Sequence, residues 1–560
     1  MIKKLPTFLR FCTAALALIF SLHTAMLRAE LSFPAVFNHH MVLQREMPVP
    51  VFGKDLPGTT VTVEFGGQKK QAIADDKGIW KAVLDPMQAS AEGRELTASG
   101  SSTVILKDIL VGEVWMGAGQ SNMVIPVSGA GYPSSYARDQ DLPLIRYSRP
   151  PSDKERKPFS KTPHDMQWNP EWMVCTKENI PKFGGIMFAF ADALHRELQV
   201  PIGIVNRAVG GTPVRFHLDQ GELAADPFVQ QVISEANAQT AQAAARAVEL
   251  EAAYPRYVKE IKERVAATGE KISPVKKPVY ATPSRIRDAS LTGKKGVGYI
   301  MFIEPMLGMA MRGVVWDQGE SGTGMLNGRV GLGMSTRFLI RQWRQHWPEL
   351  PFIVQQKPSG QGRNTWGRLA PEEGKNAELP PTPPTYPWTS GHKPYEYLTL
   401  KDEPGTWMVN TMDLITSVHP GRKDMNGLRA SEIALSEVYG IGSDDWRAPA
   451  FEKATFQGDT ATVHFRHIGE GLTVKGTGTI QGFALAGEDQ VFHWADAVIE
   501  GETVKVSSAK VSKPVAVRYA YAKRAYLAKF SVPVAPWANL FGANGRPVQI
   551  FRSDDWENVP

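Results

Sequence analysis

Three regimes of apolar and polar alternation succeed one another along the chain. Between 30 and 110, short apolar or alternating runs recur at 49–52, 60–65, 71–74, 80–84, 95–98 and 102–106. Pro57-Gly58, Gly66-Gly67, Asp75-Asp76-Lys77-Gly78 and Ser99-Gly100 separate them. Strands at this spacing, with turn residues between, predict a small β-sandwich over 30–110. From 111 the pattern changes to strands alternating with helices. Residues 183–200 carry apolar side chains at helical spacing (Ile186, Phe188, Phe190, Ala193, Leu194, Leu198), and 201–205 reads as a short buried strand. Apolar runs at 311–316 and 351–355 bracket a helical stretch at 337–347, and a strand at 407–414 precedes a helical 426–440. Such β-α alternation implies a sheet with helices on its faces, extending to about 445. From 446 the chain is again strand-rich, with runs at 460–465, 482–486, 497–499, 503–506 and 514–520.

Within the α/β segment lies an insertion at about 220–300. Residues 228–254 are rich in Ala, Glu and Gln and hold no proline between Pro227 and Pro255, so helix is expected, its charges forming a solvated face. A basic, proline-punctuated loop follows at 271–295, and a Gly- and Pro-rich stretch at 358–394 reads as an irregular surface loop.

The 560 residues are too many for one core, which agrees with several domains. Residues 1–29 differ from the rest: Lys3, Lys4 and Arg10 precede an apolar run from 11 to 22, and Ala29 offers a small residue for cleavage. This is the pattern of a secretory signal peptide, too short for a membrane span, and it places the mature protein in the periplasm or outside the cell. Lys3, Lys4, Arg10 and Arg28 are four of the 63 basic residues; without them 59 face 57 acidic ones, a formal charge of +2. That near-neutral balance gives no support to a nucleic-acid partner. Only Cys175 remains after position 29, and it is expected to act as a buried small hydrophobe.

The candidate chemistry begins at Val111-Gly112-Glu113-Val114-Trp115-Met116-Gly117-Ala118-Gly119-Gln120-Ser121-Asn122-Met123. An apolar strand runs into small residues and then presents a hydroxyl, which is how a nucleophile is displayed at the carboxyl edge of a parallel sheet. Three further loops stand behind predicted strands: Gly210-Gly211-Thr212, Gln318-Gly319-Glu320 and His419-Pro420. Acyl transfer needs a nucleophile, a base and N–H donors for the oxyanion. Ser121, His419 and the N–H groups of Ser121 and Gly211 supply one of each, with Gln318 or Asn122 as side-chain donors. There is no H-E-x-x-H or paired-cysteine signature, so neither metal nor cofactor is expected.

These loops carry a resemblance. Gly112-Glu113-Val114-Trp115 with Gly119-Gln120-Ser121-Asn122-Met123, then Pro201-Ile202-Gly203-Ile204-Val205-Asn206 with Gly210-Gly211-Thr212-Pro213, then Trp316-x-Gln318-Gly319-Glu320-Ser321, and His419-Pro420-x-x-Lys423 with Gly427-Leu428-Arg429 follow one another in order. Together they resemble the sialate O-acetylesterases of the SGNH hydrolase superfamily. Met41-Val42-Leu43-Gln44-Arg45 and Asn539-Leu540-Phe541 extend the resemblance into the flanking β regions. It implies an SGNH-type, flavodoxin-like three-layer α/β/α domain flanked by small β domains. It also implies an exported carbohydrate O-acetylesterase acting on an acetylated sugar or polysaccharide, with Ser121 as nucleophile, His419 as base and Gly211 as an oxyanion donor. Trp366 and Trp388 are candidates for stacking on sugar faces.

Two positions depart from the family pattern. The aspartate that the family places two residues before the histidine is Ser417 here, and an asparagine of the third block is Gly322. Asp413, the nearest acid before His419, and Glu320 are then the candidate acids. The alternative reading is a carbohydrate-binding protein on the same scaffold with catalysis impaired.

Overall fold

The computed structural model describes residues 30–132, 140–149, 171–269, 296–318, 330–356, 400, 402–414, 419, 421–476, 478–520 and 538–556. The expected signal segment at 1–29, the loop at 271–295 and the whole of 358–394 lie outside them, as do Gly319, Glu320, Gly322, Trp366, Trp388 and Ser417.

The N-terminal β region is built from β1 (Val42–Gln44), β2 (Val49–Lys54), β3 (Thr60–Phe65), β4 (Gln68–Ile73), β5 (Ile79–Leu84), β6 (Ser90–Ser99) and the first half of β7 (Thr103–Gly119). Strand β5 alternates strictly between exposed and buried residues, with Trp80, Ala82 and Leu84 inside. This period of two is what a half-buried strand demands. Strands at 102–106 and from 111 were expected as separate elements; they are one strand. Asp108, between the two runs, adopts a left-handed φ of 56°. Yet the chain absorbs this residue as an irregularity in the pairing with β6 and runs on. Arg146 supports the kink by donating to Asp108 at 2.6 Å.

Strand β7 therefore belongs to two sheets. Its first half pairs antiparallel with β6, and its second half sits in the middle of a largely parallel sheet. The other members are β8 (Leu142–Ser148), β9 (Trp172–Cys175), β10 (Ile202–Asn206), β11 (Gly313–Asp317), β12 (Phe352–Gln355) and β13 (Thr406–Val409), in the order β13-β12-β11-β7-β10-β8-β9. Among themselves, and numbered in chain order, β10, β7, β11, β12 and β13 lie as 2-1-3-4-5. Strands β8 and β9 extend it at one edge, β9 antiparallel to β8. Neither was anticipated from the sequence: β8 holds Pro143 and Arg146, and β9 has only four residues.

The short helix α1 (Ser121–Val124) follows β7 directly. Helix α2 (Gly185–Leu198) crosses to β10, and α3 (Gln220–Ala225) and α4 (Pro227–Thr268) form the insertion. Helix α4 passes through Pro255, where the sequence suggested an end, and continues to Thr268. Helices α5 (Leu332–His346) and α6 (Lys423–Ile433) complete the α/β layer. Alternate residues of each central strand go to opposite faces. Val314 and Trp316 of β11 and Phe352 and Val354 of β12 join Leu339, Ile340 and Trp343 of α5 in one core. Val315 and Ile353 turn the other way, onto Ile186, Phe190 and Leu194 of α2 and Ala430 and Ile433 of α6. The result is a large central sheet flanked by helices, with smaller sheets at both ends of the chain. From 450 the chain forms two four-stranded sheets around a separate core that includes Val463, Leu485, Val504 and Tyr519. The buried pair Arg518–Asp554, 2.7 Å apart, ties its last strand down.

One buried charge joins these layers. Glu113 of β7 is fully buried and accepts from Arg45 at 2.6 Å, from Arg312 at 2.8 Å and from Gln44 at 3.0 Å. Burial alone would push its carboxyl up. The hydrogen bonds and charge of Arg312, then Arg45 and Gln44, outweigh that and hold it below the ordinary carboxylate range. Arg312 in turn lies over the ring of Tyr439, whose hydroxyl accepts from the indole N–H of Trp115 at 2.8 Å. A second buried group, His217, sits at the carboxyl end of β7. Its Nε2 donates to the Gly119 carbonyl at 3.1 Å, while Trp316 meets its ring edge-on.

Two outcomes are expected. Glu113→Ala leaves Arg45 and Arg312 without their counter-charge and costs about 3 kcal/mol, read as a lower thermal midpoint; an unchanged midpoint would remove Glu113 from its role as a joint. For His217, burial drives the imidazole down to about 4 despite the Gly119 carbonyl. The folded state therefore holds it neutral, while the unfolded chain takes up the proton near 6.5. As pH falls from about 6.5 to 4 the unfolded state gains protons first, and stability drops by on the order of 3 kcal/mol. His217→Gln should flatten the dependence of unfolding midpoint on pH across that window, and an unaltered slope would assign it to other groups.

Candidate active site

The carboxyl ends of β7, β10 and β11 converge, and the crevice between β7 and β11 is where strand connections diverge to opposite sides of the sheet. That is the place where open α/β sheets bind ligands. Small residues are required there by the backbone itself. Gly119 has a φ of 121°, and a Cβ on it would lie 2.0 Å from the Asp317 carbonyl oxygen. A Cβ on Gly117 would meet the Met187 side chain at 2.7 Å. The chain then turns sharply: the Gln120 N–H donates to Asp317 at 3.0 Å, and Met123 donates back to Gln120. Ser121 opens α1, which ends after one turn at Ile125-Pro126.

Ser121 and His419 meet across 298 residues of chain. The Ser121 hydroxyl lies 2.8 Å from His419 Nε2, and both residues are partly accessible. With Nε2 unprotonated, the hydroxyl donates to it, the arrangement in which an imidazole can take the serine proton. The N–H of Ser121 points to no acceptor among the described residues. The same holds for Gly211, which is exposed in a left-handed turn with φ 73° and open space where a Cβ would sit. This turn is held in shape by its neighbours: Thr212 Oγ1 donates to the Val209 carbonyl at 2.6 Å, and Val209 N–H donates to Gly119.

The remaining candidates are placed as follows. Gln318 is buried and donates through Nε2 to the Thr212 carbonyl at 2.8 Å, so it braces the Gly211 turn from the third loop. Asn122 is fully buried, and its Oδ1 accepts from the Lys423 ammonium. Asp413 directs both carboxylate oxygens at Arg429, each 2.7 Å from a guanidinium nitrogen. Arg429 also donates to the Asn410 carbonyl at 2.7 Å. The structure thus brings Ser121 and His419 together and engages Asp413 with Arg429, while Glu320 lies outside the described residues.

Residues that sequence reasoning did not single out complete the surroundings. Tyr147 of β8 accepts from Asn206 Nδ2 at 2.7 Å and from the Gly184 N–H at 3.0 Å, and Asn206 also donates to the Met123 carbonyl. These contacts fix the far end of α1 to the helix layer. Asn206 ends an apolar strand, and a polar residue at that position was the available signal. Among the described residues, no group of three or more His, Cys, Asp or Glu could hold a metal ion. Nor is any helix there long and apolar enough to cross a membrane.

No protein-family model matches the chain. Sialate O-acetylesterase of Mus musculus is 26% identical over 344 residues, 56% of this chain and 56% of that protein, so the match spans little more than half of the mouse protein's length. The Homo sapiens sialate O-acetylesterase is 24% identical over 452 residues, 75% of this chain and 73% of that protein. Among solved structures, a carbohydrate acetylesterase from Xanthomonas citri is similar over 94% of this chain and 100% of its own, with a TM-score of 0.68 and 25% identity. The chain is thus distantly related to sialate O-acetylesterases and to a carbohydrate acetylesterase.

Proposed function

We propose that this protein is an exported carbohydrate O-acetylesterase of SGNH type, releasing acetate from an acetylated sugar or polysaccharide by a serine mechanism. The observation that carries the reading is the 2.8 Å hydrogen bond between Ser121 and His419 at the carboxyl end of β7. The likeness to sialate O-acetylesterases and to the Xanthomonas citri carbohydrate acetylesterase supports the substrate class.

In this reading each group has its own step. Ser121 Oγ attacks the acetyl carbonyl carbon as His419 Nε2 takes its proton. The carbonyl oxygen becomes an oxyanion facing the N–H groups of Ser121 and Gly211. The bond to the sugar oxygen then breaks, and His419 returns the proton to that oxygen. Water enters, gives a proton to His419 and attacks the acetyl-serine, and acetate leaves with Ser121 restored. Gln318 acts through the Thr212 carbonyl, as a brace for the Gly211 turn rather than as an oxyanion donor. Asp413 is assigned a structural part: its charge is matched by Arg429, which fastens the segment before His419 to α6.

Acetate release from an aryl acetate and from acetylated polysaccharide tests the reading. Ser121→Ala and His419→Ala are each expected to lower kcat by about three orders of magnitude or more with the fold unchanged. Equal release by wild type and Ser121→Ala would overturn the serine mechanism, and glycan binding without hydrolysis would then be the better account. Asp413→Asn separates a triad acid from a structural one. Loss of a true triad acid costs about 10⁴ in kcat. Here a lower unfolding midpoint is expected, with kcat of the folded enzyme within about tenfold of wild type, because the Arg429 pair is what the substitution breaks.

A further inference from the structure

A buried lysine at the start of a helix is costly on two counts. Lys423 is the first residue of α6 and is 1% exposed. Lysine is almost never fully buried without a partner, and a cation in the first helical turn opposes the helix dipole. Neither core packing nor helix propensity accounts for it. Its ammonium donates to Oδ1 of Asn122, the residue beside Ser121, 301 positions earlier in the chain. Its backbone N–H donates to the Ala130 carbonyl at 3.1 Å. The stem threads past the start of α2 at a point where only glycine fits: a Cβ on Gly185 would lie 3.1 Å from Lys423 Cβ and 2.7 Å from Ala130 Cβ. Preceding it, Arg422 takes a left-handed φ of 58° and pairs with Asp424 at 3.1 Å, so the helix start is held at both neighbours.

We propose that Lys423 is a positioning residue for the Ser121–His419 pair: its buried ammonium, bonded to Asn122, locks the turn that presents the serine to the helix that follows the histidine. The inference rests on the reading of Ser121 as nucleophile. The turn needs such a lock. Helix α1 is a single turn without a side-chain cap, and Asn122 lies at its centre. Lys423 is four residues past His419, so one bond carries position from the base's loop to the nucleophile's. A displacement of about 1 Å at a reacting group is enough to cost on the order of a hundredfold in rate.

The test follows covalent capture of Ser121 by an alkyl fluorophosphonate, read by intact mass on the full chain, beside aryl acetate kinetics. Wild type, Lys423→Met, Lys423→Arg and Asn122→Ala are compared. Lys423→Met should be captured roughly ten- to a hundredfold more slowly, with kcat lowered by a like factor and KM within about twofold. Lys423→Arg should recover most of the capture rate, because it restores a donor to Asn122. If Lys423→Met does not fold, Asn122→Ala, which removes the acceptor and leaves the lysine, should show the same slow capture. Capture of the folded Lys423→Met or Asn122→Ala at the wild-type rate overturns the inference while leaving Ser121 as nucleophile. A wild type that resists capture altogether removes the nucleophile reading, and this inference with it.

Discussion

A single buried carboxylate fixes the strand on which the rest of the molecule is hung. Glu113 lies where β7 leaves the N-terminal β region and enters the central sheet, and its partners come from Arg45 on one side and Arg312 on the other. An isolated ionised carboxylate in that position would be prohibitively desolvated. Paired with two guanidinium groups and Gln44, it sets which residues of β1, β7 and the approach to β11 are adjacent. Register matters here more than strength, since a shift of one residue would turn every side chain of β7 to the opposite face. It would also carry Ser121 away from the crevice, because only Gln120 lies between the end of the paired strand and Ser121.

The small residues at that end are consequences of the same close approach. Gly119 is needed because the Asp317 carbonyl occupies the space of its Cβ, and because its φ of 121° suits no other residue. Its own carbonyl receives Val209 N–H and His217 Nε2, which ties the second loop to the first. The glycine pattern is therefore a packing requirement of the sheet end, and the partial exposure of Ser121 follows from it. A chemical reading of Gly-x-Ser alone would mistake the cause.

What was legible in the sequence follows this division. Alternation at β5, the buried runs of β10 and β11, and the helical spacing in α2 were plain, because each repeats over enough residues to be read locally. That Ser121 and His419 stand close together was readable from the order of the loops joined to the family resemblance. The continuity of β7 was not: the polar Lys107-Asp108 divides two apolar runs, and the pairing with β6 and the Arg146 contact carry the strand across it. Strands β8 and β9 were missed because their place is decided by β10 and by each other. The partner of Asp413 was beyond sequence reasoning too. Proximity to His419 in the chain suggested an acid for the base, whereas the fold delivers Arg429 to both its oxygens.

A site assembled from loops of separate strands inherits the looseness of loops unless each is fastened by something buried. Among the described residues, the loops of the site each carry a polar fastening. Gln318 holds the Gly211 turn through Thr212, Asn206 holds the end of α1 through Met123, Arg429 holds the segment before His419 through Asp413, and Lys423 holds Asn122. Apolar packing alone would bring these loops near one another but would leave each free to slide, since it has no direction. Hydrogen bonds between buried groups are costly to break and narrow in geometry, so they convert nearness into alignment. That accounts for amides, guanidinium groups and an ammonium buried beneath a pair of residues whose own contact is a single 2.8 Å hydrogen bond.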